Sequence, residues 1–191
     1  MNTNDAISLT KSQQTNYYLN MQYSLNYARQ FGLHDVTGMA LIQRDNWQQY
    51  AADLPYNMLG ISARATYSYD SRYLAEVNVG YNGSEQFAKG KRFGFFPAFS
   101  AGWVASNEAF LKDNDFITNL KLRGSYGEVG DDAVSDYSAF DYLPGYNYNS
   151  GGAVIDGNWV VGTSTRGLPN QTLSWMTAKI LDIGVDLGFL N

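Results

Sequence analysis

The stretch that decides the fold runs from Arg72 to Trp103, RYLAEVNVGYNGSEQFAKGKRFGFFPAFSAGW. Its first part alternates strictly: Tyr73, Ala75, Val77, Val79 and Tyr81 fall on one parity, and Glu76, Asn78, Gly80 and Asn82 on the other. A period of two marks a β-strand with one apolar and one polar face. A glycine-rich charged patch interrupts it, and the alternation resumes with Phe95, Phe99, Ala101 and Trp103 against Ser100, Gly102 and Val104. Pro97 sits near the start of this second strand, where a missing N–H donor is tolerable. No soluble-enzyme motif lies in the stretch. Its meaning turns on the solvent that the apolar parity faces, since the same pattern serves a half-buried sheet in water and a wall in a membrane.

The period recurs along the chain. Over 16–31, Tyr17, Leu19, Met21, Tyr23, Leu25 and Tyr27 oppose Asn16, Asn20, Gln22, Ser24 and Asn26. Over 34–44, Val36, Gly38, Ala40 and Ile42 share a face, and over 57–70 Leu59, Ile61, Ala63, Ala65, Tyr67 and Tyr69 oppose Gly60, Ser62, Arg64, Thr66 and Ser68. The turn Asp70-Ser71-Arg72 joins this strand to the next as a tight hairpin. Further strands are expected over 94–106, over 117–127, with Leu120, Leu122 and Tyr126 outward, and over 174–190, with Leu181, Ile183, Val185, Leu187 and Phe189 outward. That makes seven antiparallel strands and an all-β chain, in keeping with 15 tyrosines and 10 phenylalanines against four prolines.

The connections separate two readings of that chain. They alternate between short (32–33, 71) and long (45–56, 83–93), with an intermediate stretch at 107–116 and a very long one at 128–173. Short turns at one end and long loops at the other describe an up-and-down transmembrane β-barrel, whose strands need about 9 to 11 residues to cross. Aromatic residues flank the apolar parity at both ends, as Tyr17 against Tyr27 and Phe31, and as Tyr73 against Tyr81, with Trp103 closing the fifth strand. In-strand charges Arg64, Glu76, Lys121, Arg123, Asp182 and Asp186 fall on the opposite parity, where a barrel keeps its wet interior. Arg29 and Lys179 are exceptions; Arg29 lies near a strand end, and Lys179 fits if its strand rises above the membrane before Leu181. Alternation alone is equally compatible with a soluble or secreted β-sandwich, which would act as a carbohydrate-binding module. Loop lengths and aromatic pairs favour the barrel.

Composition removes other classes. The 191 residues carry a net charge of -5, which offers no broad basic field for nucleic acid. With no cysteine there is no disulfide framework, thiol nucleophile or thiolate metal site. No apolar run reaches the roughly 18 residues of a membrane helix, and Met1 is followed by Asn-Thr-Asn-Asp rather than by a signal region. The lone histidine, His34, lies at a short turn and reads as a surface residue rather than a base, and Gly124, Gly127 and Gly130 follow a strand without opening a helix, so they make no nucleotide loop. No enzyme activity and no cofactor are expected. Asp131, Asp132 and Asp136 read as a solvated acidic loop ahead of a calcium site. Lys89, Lys91 and Arg92 form a basic loop that would stand beside the outer leaflet, a lipid-phosphate contact or a solvated tip. Asn82-Gly83-Ser84 matches a glycosylation acceptor but reads as a turn. The segment 137–159 sets Tyr142, Tyr146, Tyr148 and Trp159 among Asn and Gly, flat apolar faces beside amide groups, the make-up of a sugar-contacting loop or a partner contact.

The residues also carry a resemblance. ARATYSYDSRYLAEVNVGYNGSEQFAKGKRFGFFPAFSAGWVASNEAF, from Ala63, followed by LKLRGSYGEVG, from Leu120, closely resembles the barrel of SusC/RagA-type TonB-dependent outer-membrane transporters of the Bacteroidetes. The likeness covers about 54–130; 16–44 matches as generic barrel strands, and Asn170, Leu173 and Trp175 are similar to a later Asn-x-x-Leu-x-Trp strand of that family. The resemblance implies a barrel of about 22 strands around an N-terminal plug. It further implies a SusD-like surface lipoprotein as partner, the TonB complex acting through the plug, glycan or peptide cargo, and residence among outer-membrane lipids. Arg64, Glu76, Lys121 and Arg123 would then face the lumen or the plug. On this reading residues 1–191 are part of a barrel domain, without the signal peptide or the plug, and this stretch alone transports nothing because its two sheet edges would be unpaired.

Overall fold

The computed structural model describes residues 11, 13–48, 54–111, 116–133 and 139–189. Nine strands are present among them: β1 (Tyr17–Phe31), β2 (His34–Gln48), β3 (Tyr56–Tyr69), β4 (Tyr73–Ser84), β5 (Phe93–Val104), β6 (Ile117–Asp131), β7 (Tyr146–Ile155), β8 (Asn158–Thr165) and β9 (Met176–Phe189). A single 3₁₀ turn, Ala105–Asn107, follows β5. Seven strands form one antiparallel sheet in the order β1-β2-β3-β4-β5-β6-β9, and β7 and β8 form a separate hairpin. The seven expected strands are therefore the sheet, while the expected very long connection holds a hairpin of its own and β6 runs on to Asp131.

Turn chemistry explains the connections. Gly32 (φ 62°) closes the β1–β2 turn, and Asp70 and Ser71 (φ 50° and 53°) take left-handed positions in the three-residue connection between paired Tyr69 and Tyr73, with Arg72 N–H donating to Tyr69 O at 2.9 Å. Asp156 and Gly157 (φ 50° and 77°) take such positions in the two-residue turn between β7 and β8.

Register carries one parity across the sheet. Tyr27 faces Gly38, which faces Ala65, then Val77, Phe99, Tyr126 and finally Leu181. Tyr23, Ile42, Ile61, Tyr81 and Phe95 form a second such row. The other parity joins Thr37, Thr66, Glu76, Ser100, Ser125 and Asp182. One face is thus apolar and the other polar, and nothing among the described residues packs on the apolar one: Leu25 is 74% exposed, Phe95 58% and Ile183 81%. A contiguous apolar face of this extent is not a stable boundary with water.

Apart from Ala105 at the short-turn end, the buried hydrophobic residues lie at the long-loop end. Phe87, from the β4–β5 connection, and Phe96 are buried against Trp175, with ring centroids 5.7 and 5.3 Å from the indole. Gly94 and Gly130 make room for Phe96, since a Cβ at either would overlap its ring.

Candidate functional site

The apolar face has the dimensions of a membrane wall. On β4, Tyr73 and Tyr81 bracket Ala75, Val77 and Val79. At about 3.4 Å per residue the two tyrosines are ~27 Å apart along the strand, and at a barrel tilt of about 40° that becomes ~21 Å along the membrane normal, close to the ~25 Å band of membrane barrels. Aromatic side chains gather at both strand ends: His34 lies 4.9 Å from Tyr69 and Tyr69 6.3 Å from Tyr73 at the short-turn end, while Tyr81 stacks on Phe93 at 5.1 Å towards the loops. The expected exceptions find partners. Arg29 covers the Phe31 ring at 4.7 Å, and Lys179 meets Glu128 at 3.2 Å, where Tyr126 Oη also donates at 2.9 Å. Arg44 shares the outer parity as well, one register step beyond Ile42 on the loop side.

All six charges expected on the inner parity lie on the polar face. Arg64 on β3 pairs with Glu76 on β4 at 2.8 Å, and Asn78 Nδ2 donates to the same carboxylate at 2.6 Å. On β6, Arg123 reaches Asp186 of β9 at 3.4 Å, and Lys121 is the register partner of that aspartate. Glu76, Lys121 and Arg123 line a cleft of about 430 Å³ with Asp35, Thr66 and Asp182, while Arg64 touches it only through Glu76. These pairs are half open to solvent, so each adds little stability. Their effect is an interior of fixed, alternating charge.

The structure separates the four aromatic candidates. Tyr146, Tyr148 and Trp159 share one face of the β7–β8 hairpin with Val154 and Val161, because Gly152 pairs with Val161 and Tyr148 with Thr163. Tyr148 is 81% and Trp159 63% exposed. Tyr142 stands apart at the hairpin base, its hydroxyl accepting from Arg92 Nη2 at 3.4 Å. The base is closed by Arg166, which pairs with Asp141 at 2.9 Å and whose N–H donates to Gly145 O. Sequence reasoning placed these residues in a loop; the Asp156-Gly157 pair between Val154-Ile155 and Trp159-Val160 was the signal for the hairpin.

Two further assemblies were not anticipated. At the loop-end rim, Tyr56 and Gln86 both donate to Asp132, the latter at 3.1 Å, which commits that carboxylate to tying β3 to the end of β6. Asp131 accepts from Ala133 N–H at 2.9 Å, and Asp136 lies outside the described residues. Among the described residues no group of three metal-ligating side chains occurs. At the short-turn end, Glu108 accepts from Tyr73 Oη at 2.8 Å, Trp103 Nε1 at 3.2 Å and Arg72 Nη1 at 2.9 Å. The tyrosine hydroxyl, then the indole N–H and the guanidinium, hold the Glu108 carboxyl below its ordinary value.

Comparison with known proteins places this wall. No family model matches the chain. It is 36% identical over 129 residues to the TonB-dependent receptor SusC of Bacteroides thetaiotaomicron, a match that takes in 67% of the chain and 13% of SusC. TonB-dependent receptor P3 of Formosa agariphila is 31% identical over 134 residues, 70% of the chain and 13% of that receptor. The fold superposes on the RagAB peptide transporter with a TM-score of 0.75 and 17% identity, over 92% of this chain and 22% of that one. The chain belongs to the SusC/RagA-type TonB-dependent receptors. It spans about 13% of the length of the curated relatives it matches. In SusC/RagA terms the seven-stranded sheet is an arc of barrel wall, and the apolar parity is its lipid face. No helix among the described residues is long and apolar enough to cross a membrane, which says nothing of strands.

Proposed function

We propose that this chain forms wall and outer loops of an outer-membrane nutrient importer energised through TonB. The observation that carries the reading is the bare apolar face, bracketed by aromatic residues at membrane spacing and backed by a face that holds Arg64, Glu76, Lys121 and Arg123. A wall of this kind performs no bond chemistry. It supplies a low-dielectric barrier outside and a hydrated, charge-lined passage inside. Those four charges, at the inner parity, are where a plug would be gripped by ion pairs weak enough to be exchanged, each worth about 1 kcal/mol or less. The surface lipoprotein expected of the family would meet the long-loop end.

The cargo reading rests on the hairpin. From 142 to 165 it carries one charged residue, Asp156, among Tyr, Trp, Asn, Ser and Thr. Tyr146, Tyr148 and Trp159 offer flat faces of the sort that stack on sugar rings, with amides beside them for hydroxyl groups. A neutral glycan suits that surface better than a charged peptide.

Thiol labelling tests the wall, since the chain has no native cysteine. In the receptor that carries this chain, Ile183→Cys should react with a lipid-soluble maleimide and resist a membrane-impermeant one, while Ser125→Cys on the polar face should react with the impermeant reagent once the barrel is opened to it. Reaction of Ile183→Cys with the impermeant reagent in intact cells, to the extent shown by Ser125→Cys in the opened barrel, refutes the barrel. Uptake of labelled neutral oligosaccharides against peptides, with Trp159→Ala as the variant, tests the cargo; unchanged oligosaccharide uptake in that variant removes the hairpin from it.

A further inference from the structure

We infer that the β4–β5 loop binds the phosphate of an outer-leaflet glycolipid through Lys89 and Lys91. The inference rests on the membrane-wall reading above. The chain carries a net charge of -5, yet residues 89–92 hold three cations. Three cations of the long-loop end stand in ion pairs: Arg92 with Glu85 at 3.7 Å, Arg166 with Asp141 at 2.9 Å and Lys179 with Glu128 at 3.2 Å. Lys89 and Lys91 are exposed and have no ion-pair partner among the described residues.

The loop is held rigidly while its two ammonium groups are left free. Lys91 N–H donates to Ala88 O at 3.0 Å, around Gly90 at φ 88°. Arg92 Nε donates to Phe87 O at 3.1 Å, Ser174 Oγ to Lys91 O at 3.2 Å and Trp175 Nε1 to Arg92 O at 2.9 Å. Phe87 is buried beneath this turn, anchoring it to the rim. Three elements thus spend backbone and aromatic contacts on fixing a turn whose exposed residues are lysine, glycine and lysine.

Position selects the ligand. Lys91 stands two residues before Phe93 at the start of β5, and Phe93 stacks on Tyr81 on the apolar face, where both rings are open to the surroundings. Aromatic rings of this kind sit at headgroup level, with cations one step further out, where lipid phosphate lies. A cargo phosphate would instead be met from the polar parity. The bound group is therefore the phosphate of a lipid, held by two ammonium ions above a ring pair that contacts its acyl and sugar portions.

The test uses the whole receptor extracted from its outer membrane, with diphosphorylated lipid A and its dephosphorylated form as probes and native mass spectrometry as the readout of retained lipid. Wild type should retain the phosphorylated form and not the other. Lys89→Gln with Lys91→Gln should weaken retention about fivefold per charge, roughly 30-fold together, and Lys89→Arg with Lys91→Arg should restore it. Equal retention by wild type and the glutamine variant overturns the inference. So does displacement of the lipid by millimolar inorganic phosphate, which would mark a free-anion site. Receptor that fractionates away from the outer membrane overturns the wall reading itself, and this inference with it; receptor in the membrane with unchanged lipid retention overturns the lysine assignment alone.

Discussion

Val77 lies midway between Tyr73 and Tyr81 on the apolar parity of β4, four residues from each. That is ~14 Å along the strand and ~10 Å of depth from either aromatic level. An arginine there cannot reach the headgroups without distorting the wall, so Val77→Arg should cost about 2 to 4 kcal/mol, a factor of roughly 30 to 900 in the folded population. Tyr81→Arg, at the aromatic level, should cost ~1 kcal/mol or less from depth alone. Asn78→Arg points the same charge one residue further along to the polar face, beside the Glu76 carboxylate and opposite Arg64, and should cost about 1 kcal/mol or less. The three variants, made in the receptor that carries this chain, differ in depth and face but hardly in composition. Urea unfolding in phosphatidylcholine vesicles measures them, with the heat-modifiable folded band on gels as the check on assembly. If Val77→Arg costs no more than Asn78→Arg, the apolar parity faces water and the argument from spacing fails. A cost independent of depth, equal at 77 and 81, would refute a bilayer as the solvent and favour a packed protein layer on that face.

At the rim, Trp175→Ala removes the indole from Phe87 and Phe96 together with its bond to Arg92 O, and should cost about 2 to 4 kcal/mol of local stability, seen as faster amide exchange across 85–92. Gly157→Val forces a branched side chain into φ 77° and should cost ~1 to 2 kcal/mol, read as proteolytic nicking of the β7–β8 hairpin while the sheet stays intact. The Glu108 clasp gives a pH dependence. Its folded pKa is lowered, so its contribution is full above the ordinary carboxylate value and is lost as pH falls through the lower, folded one. Protection of the 105–111 turn should therefore decline on acidification, and Glu108→Gln should show weaker protection at neutral pH with a flatter profile; an unaltered profile in that variant would refute the clasp.

The sheet was legible in the sequence because strand parity is a local property. Tyr73 to Tyr81 alternate whatever lies around them, and the same is true of Leu181 to Phe189, so face, register step and wall thickness follow from spacing. The tight turn at Asp70-Ser71 and the placing of Arg64, Glu76, Lys121 and Arg123 on one face follow for the same reason. Which of those charges meet depended on diagonal neighbours in adjacent strands, and only pairing of β3 with β4 and of β6 with β9 sets Arg64 on Glu76 and Arg123 near Asp186. The β9 pairing spans a long insertion in sequence, and no local pattern announces it. The hairpin was missed because its β7 strand carries a register shift between Tyr148 and Gly152, which breaks the period of two although Asp156-Gly157 supplied the turn. The rim cluster was invisible for another reason: Phe87 sits in a charged loop, and its burial depends on Trp175 arriving from far along the chain, with Gly94 and Gly130 leaving space for Phe96. Periodicity therefore decided the strands and their two faces, because each strand reports its own, while loop lengths and flanking aromatic residues spoke for the membrane. Contacts between residues distant in sequence decided the rim, the clasp and the aromatic hairpin face, because those exist only once the strands have found their neighbours.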